Sequence, residues 1–177
     1  MTNSRTKGNK GQRIAAKVLK DWTRKPFAST PRSGGLRWGA MSTVIGDVVC
    51  TKEGHYFPFC VEVKSYLHIN FEHPLYTVKG DLYSFWDQVN DDALRAKKIP
   101  LLMIRYNRLP KEFFFVGVPS KDYEQLFKGV SMKELNKVMT IQHMGLTIFT
   151  TPELVNTDYK EVRQNAKLIL KTRYEKT

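Results

Sequence analysis

The chain has only two cysteines among 177 residues, too few for the disulfide frameworks that hold small secreted domains together. No apolar run approaches the roughly 18–20 residues that a bilayer-spanning helix needs. Met1 to Lys10 is polar where a secretory signal would carry its apolar core. The four histidines, His55, His68, His73 and His143, are scattered. His68 and His73 flank Phe71-Glu72 without the ligand spacing of a zinc site, so loop and packing roles are expected of all four. Acid is scarce too: 17 Asp and Glu stand against 29 Lys and Arg, a formal net charge of +12. Between Met1 and Ala40 a single acid, Asp21, faces ten basic residues, a net of +9. These shortages argue against a disulfide-stapled secreted module and a membrane span. They point to a reducing cytoplasm as the setting and to a polyanion, nucleic acid before membrane, as the partner.

What is present suits one folded domain. The 41% hydrophobic and 12% aromatic content can fill a core at this length. Residues 1–10 read as a flexible basic arm and 11–177 as a single domain, with a core over about 11–118 and a C-terminal elaboration over about 119–177. Gln12 to Trp22 places Ile14, Val18, Leu19 and Trp22 at helical spacing, with mostly Lys and Arg on the other positions. Lys7, Lys10, Arg13 and Lys17 can track phosphates from this segment. Three glycines and a proline fall in the nine residues Pro31 to Gly39. Such a loop can bring backbone N–H groups, Arg32, Ser33 and Arg37 up to a phosphate.

Strands are expected at Phe27–Thr30, Thr43–Thr51, His55–Ser65, Pro100–Tyr106 and Phe113–Val118, with a turn at Lys52-Glu53-Gly54. Asp81–Lys98 carries an apolar stripe of Leu82, Phe85, Trp86, Val89, Ala93 and Ala96, with Asp81 as its expected cap. Short helices are expected at Tyr123–Lys128 and Lys133–Lys137. Val138–Gln142 and Leu146–Thr150 can pair across His143-Met144-Gly145, and Asp158–Arg173 closes the chain as an amphipathic helix. Tyr66–Thr77 reads first as a connecting loop and second as a segment that stacks on DNA.

The chemistry concentrates in Gly46-Asp47-Val48-Val49 and Cys60-Val61-Glu62-Val63-Lys64-Ser65. Side chains alternate along a strand, so Glu62, Lys64 and Cys60 share one face. If Asp47 lies on that face too, Cys50 lies on the other and the two thiols do not bridge. Asp47 and Glu62 can each offer a carboxylate oxygen to a hard divalent cation, and the Val63 carbonyl can add a third oxygen. Lys64 can orient an attacking water and offset charge on a phosphate. In a strongly basic chain, this set suggests cleavage of a phosphate backbone.

These motifs, in this order, resemble the PD-(D/E)XK nuclease superfamily and, within it, archaeal-type and phage Holliday junction resolvases. The resemblance runs from the basic helix beginning Lys7-Gly8 through Arg32-Ser33-Gly34-Gly35, Gly46-Asp47-Val48-Val49 and Val61-Glu62-Val63-Lys64-Ser65. It continues through Phe85-Trp86-Asp87-Gln88 to Lys98-Ile99-Pro100-Leu101-Leu102-Met103-Ile104-Arg105. It implies an α/β, restriction-endonuclease-like core: a mixed central sheet flanked by helices, with a C-terminal α/β extension. It further implies Asp47 and Glu62 as metal ligands, Lys64 as the catalytic lysine and Gln88 beside them. Mg²⁺ would be the cofactor, with Mn²⁺ able to substitute. Branched DNA would be the substrate, and a homodimer in the host cytoplasm of a phage infection the working form. One departure is on the first helix, where many members carry a metal-binding Glu and this chain has Gln12, with no acid before Asp21. Ser65 closes the motif without an assigned role. Two alternatives use the same residues: a restriction, repair or degradative nuclease of the superfamily, and a noncatalytic nucleic-acid-binding protein on the same fold.

Overall fold

The computed structural model describes residues 4–30, 45–66, 77, 79–130 and 139–175. The expected phosphate loop with Arg32, Ser33 and Arg37, the two histidines His68 and His73, and the helix at Lys133–Lys137 lie outside them.

A seven-stranded mixed sheet runs through the chain, flanked by helices on both faces. Its strands are β1 (Phe27–Ser29), β2 (Val48–Cys50), β3 (Phe59–Tyr66), β4 (Ile99–Tyr106), β5 (Phe115–Pro119), β6 (Met139–Ile141) and β7 (Leu146–Thr150). The spatial order is β1-β2-β3-β4-β5-β7-β6. Among the described strands the one parallel pair is β3 with β4, in register from Phe59↔Ile99 to Tyr66↔Tyr106. A parallel pair needs a crossover, and the helix α2 (Asp81–Ala96) lies on it. This is the restriction-endonuclease-like α/β architecture that the motif order implies.

The central strands are buried on both faces, which is why they read as near-continuous apolar runs. Phe59, Val61 and Val63 of β3 and Leu101 and Met103 of β4 pack with α1 (Ser4–Thr23) and α5 (Tyr159–Tyr174). On the opposite face, Leu102 and Ile104 of β4 pack with Leu82, Phe85, Trp86 and Val89 of α2. Trp86 is fixed there, its indole N–H donating to the Met144 carbonyl at 2.8 Å. The C-terminal residues extend this same sheet and core. They supply β6 and β7, the short helices α3 (Ser120–Leu126) and α4 (Thr151–Val155), and α5, whose Ala166, Ile169 and Leu170 share the core of α1.

Three local readings change. The helix expected from Gln12 begins at Ser4, so most of the expected arm is helical. Gly8 and Gly11 do not stop it, and at Gly11 the reason is packing: a Cβ there would sit 3.0 Å from Ser65 Cβ, so the glycine lets α1 approach β3. Asp81 is not the cap of α2 but its first residue. Gly80 occupies the cap with φ 119°, and no side chain bonds the helix end. The helix stops at Lys97, which takes the left-handed conformation (φ 51°) that more often falls to glycine. Helix α4 is too short to show periodicity, although Thr150 and Glu153 form its capping box.

Candidate active site

The site forms where β2 parts from β3. The β2–β3 ladder holds a single register pair, Val48↔Val61. Immediately before it, Gly46 has φ +105°, and a Cβ there would lie 3.0 Å from the Val61 carbonyl oxygen. Only glycine relieves both constraints. The turn aims Asp47 back at β3. Its N–H donates to the Val61 carbonyl at 2.7 Å, and its Oδ2 accepts from the Val63 N–H at 3.0 Å. A side-chain oxygen thus takes the place of a neighbouring strand. The N–H and C=O of one strand residue project to the same edge. The Val63 carbonyl therefore points to the edge where Asp47 sits.

Glu62 and Lys64 occupy the face of β3 that α2 covers. Glu62 is 5% exposed in a strand otherwise apolar at its centre, a placement that costs free energy unless it is compensated or used. Lys64 Nζ lies 2.7 Å from Glu62 Oε1 and donates to Gln88 Oε1 at 2.8 Å. Gln88, on α2, donates from Nε2 to Glu62 Oε1 at 2.9 Å. The triangle fixes the amide orientation: turned over, its oxygen would face the carboxylate and its NH₂ the ammonium. Lys64 Nζ also sits 4.9 Å from the centroid of the Phe85 ring, a cation–π contact one helical turn before Gln88.

Burial pushes the Glu62 carboxyl above its ordinary value, and the neighbouring Asp47 charge adds to the rise. The Lys64 hydrogen bond and charge oppose it, and Asp92 contributes in the same sense as Asp47. Cys60 shares this face, but burial pushes its thiol up to about 12. It is therefore a packed apolar group and not a nucleophile. Both cysteines are free.

Among the described residues no cluster of three or more His, Cys, Asp or Glu side chains converges to hold a metal ion. The donors at this site are instead two carboxylates and one carbonyl. That all-oxygen set suits Mg²⁺, which usually takes one or two protein carboxylates and keeps its waters. A cation between Asp47 and Glu62 would also offset their mutual repulsion, so the residues present fit the ion.

The structure thus brings Asp47, Glu62, Val63, Lys64 and Gln88 together. Ser65 faces the other way, against Gly11 of α1. Gln12 is buried in α1 at 6% exposure. Lys10, Arg13 and Lys17 are exposed on α1, and Lys17 is ion-paired with Glu112. The side chain of Lys7 lies outside the described residues. Of the histidines, His55 bonds the Tyr159 hydroxyl at 2.9 Å and His143 is exposed on a 3-10 turn. Sequence reasoning missed Phe85 as a partner of Lys64. Its spacing of three from Gln88 was the available signal, since residues three apart share a helix face.

A family model described as "Phage putative PDDEXK endonuclease" matches residues 3–167. Comparison with curated proteins and with solved structures gave no match. The matched span takes in α1, the turn at Gly46-Asp47, Glu62, Lys64 and Gln88, together with the C-terminal strands that complete the sheet. The chain therefore belongs to this phage endonuclease family and is a nuclease of the PD-(D/E)XK type.

Proposed function

We propose that this nuclease is a divalent-metal-dependent endodeoxyribonuclease that resolves four-way (Holliday) junctions, working as a homodimer in the cytoplasm of a phage-infected host. The observation that carries the catalytic part is the closed contact of Glu62, Lys64 and Gln88 beside an Asp47 that is bonded to Val63. Asp47, Glu62 and the Val63 carbonyl would hold Mg²⁺, with Mn²⁺ able to replace it. The bound ion would supply charge relief on the scissile phosphate and a more acidic water. Lys64 Nζ, with Gln88 and Glu62 limiting its rotation, donates a hydrogen bond to the attacking water or to a non-bridging phosphate oxygen. Its charge opposes the negative charge that grows as the water oxygen bonds to phosphorus and the P–O bond to the leaving strand breaks. Burial of Glu62 under α2 limits competing solvent. The first helix offers buried Gln12 in place of an acid, which favours a single ion.

The junction preference rests on the resemblance in motif order, and the homodimer on the need for two near-symmetric cuts. The exposed Lys10 and Arg13 and the +9 charge of the first forty residues support DNA as the polyanion. The deciding assay offers a synthetic four-way junction and a linear duplex of the same sequence, with Mg²⁺ and with chelator. The junction should be cut in pairs of symmetric nicks and the linear duplex much more slowly. Equal rates would replace the junction reading with a restriction, repair or degradative one. Cleavage should be lost in Asp47→Ala and Glu62→Ala while binding is kept or strengthened, because removing an acid reduces repulsion of the phosphates. No cleavage by the unaltered chain would leave the binding-protein reading.

A further inference from the structure

We infer that Tyr66 and Tyr106 form a stacking site for an unpaired nucleobase next to the scissile phosphate. This deepens the nuclease reading above, on which it rests, by naming the substrate class: DNA with at least one unstacked base at the cut. Tyr66 ends β3 on the same face as Glu62 and Lys64, because side chains two residues apart on a strand share a face. It is 37% exposed, whereas its neighbour in the row, Phe85, is 6% exposed. Tyr66 and Phe85 are in ring contact at 5.0 Å, and it is the Phe85 ring over which Lys64 Nζ sits at 4.9 Å. Tyr106 is the register partner of Tyr66 on the adjacent parallel strand, so the two share a face about 4.8 Å apart. Tyr106 in turn stacks on Phe115 with centroids 6.5 Å apart and 18° between planes.

An aromatic row thus starts at the catalytic lysine and runs across the carboxyl ends of β3 and β4. A strand rises ~3.3 Å per residue, so the Tyr66 Cα lies ~6.6 Å beyond that of Lys64. That step is close to one nucleotide of an extended strand. A DNA strand that runs along β3 with a phosphate at Lys64 would set its neighbouring base beside Tyr66. Stacking requires a free π-face, which a base inside an intact duplex does not present. The row consequently selects single-stranded, flapped or branch-point DNA over continuous duplex. A packing role accounts for Phe85, 6% exposed, more fully than for Tyr66, 37% exposed at the end of β3.

The test uses the full chain in chelator, so that no DNA is cut. Two oligonucleotides carry 2-aminopurine at the same position, one with that base unpaired at a flap junction and one fully paired. Binding of the unaltered chain should quench the unpaired probe. Tyr66→Ala should lose the quench and bind the flap about tenfold more weakly, while binding to the paired duplex stays unchanged. Tyr66→Phe should keep both. Tyr66→Leu retains an apolar contact for Phe85 without a π-face, so it should behave like Tyr66→Ala and guards against a misfolded alanine variant. Unchanged quench in both Tyr66→Ala and Tyr66→Leu, or equal losses on flap and duplex, overturns the inference. Cleavage is read separately with Mg²⁺. Quenching without cleavage in any metal would count against the catalytic reading and leave the stacking site standing.

Discussion

Gln88 donates its amide to Glu62 from the helix that covers the site, at 2.9 Å. The same side chain accepts from Lys64 at 2.8 Å, so one neutral residue holds an acid and a base of the strand in fixed relation. Hydrogen bonds to charged groups are worth about 1.5–3 kcal/mol. Gln88→Ala should therefore lower the single-turnover cleavage rate roughly ten- to a hundredfold, with DNA affinity little changed. A loss of affinity with an unchanged rate would assign Gln88 to binding instead of positioning.

Glu62 gives the metal-free protein a particular pH dependence. Its folded-state carboxyl is raised by burial first and by Asp47 second, from an ordinary value of 4.5. The folded state then holds the proton more tightly than the unfolded chain does. The contribution is full below pH 4.5 and is lost as pH rises through the elevated folded value. Urea titrations in chelator should show a falling stability over that window, with a shallower fall in Glu62→Gln. Mg²⁺ should raise the melting temperature of the unaltered chain at neutral pH and do so much less in the variant.

Gly46→Ala tests the turn that aims Asp47. The alanine must accept φ +105° and a 3.0 Å contact with the Val61 carbonyl. Strain of this kind costs about 1–3 kcal/mol. The urea midpoint should fall accordingly. Cleavage should drop further than the folded fraction does, because relief of the strain moves Asp47 away from Val63.

Arg173 and Asp122 tie the last helix to α3. The guanidinium meets both carboxylate oxygens at 2.6 Å, and Asp122 is 4% exposed. Arg173→Ala leaves a buried charge without its partner and should cost about 3–5 kcal/mol in urea unfolding. Replacing both residues by leucine should recover most of that loss, since an apolar pair carries no desolvation penalty.

The main elements were legible because their signals are local. Period-two alternation set Glu62 and Lys64 on one face, and the stripe from Leu82 to Ala93 announced α2. The hydrogen bond from the Val63 N–H to the Asp47 carboxylate was not legible, since it depends on a one-pair ladder and on a carboxylate standing in for a strand. Nor did spacing reveal that Ser65 faces α1, where Gly11 makes room for it. The C-terminal strands were readable as a hairpin, but their place beside β5 in the same sheet is a long-range choice that no window of sequence contains. Helix α4 fell below the length at which periodicity speaks, although Thr150 and Glu153 carried the capping-box signature. The start of α1 was misjudged because polar, basic residues look like a loose arm while being good helix formers.

The parallel pairing of β3 with β4 also bears on when the chain acquires its chemistry. Glu62 and Gln88 are 26 positions apart, on opposite sides of a crossover that must close before the two strands can pair. Closing such a loop carries an entropic cost that contacts within one helix do not. A chain still emerging from the ribosome, or one cut within the crossover, carries Glu62 and Lys64 without the amide that holds them. The three-residue contact of Glu62, Lys64 and Gln88 is thereby complete only once the crossover has closed.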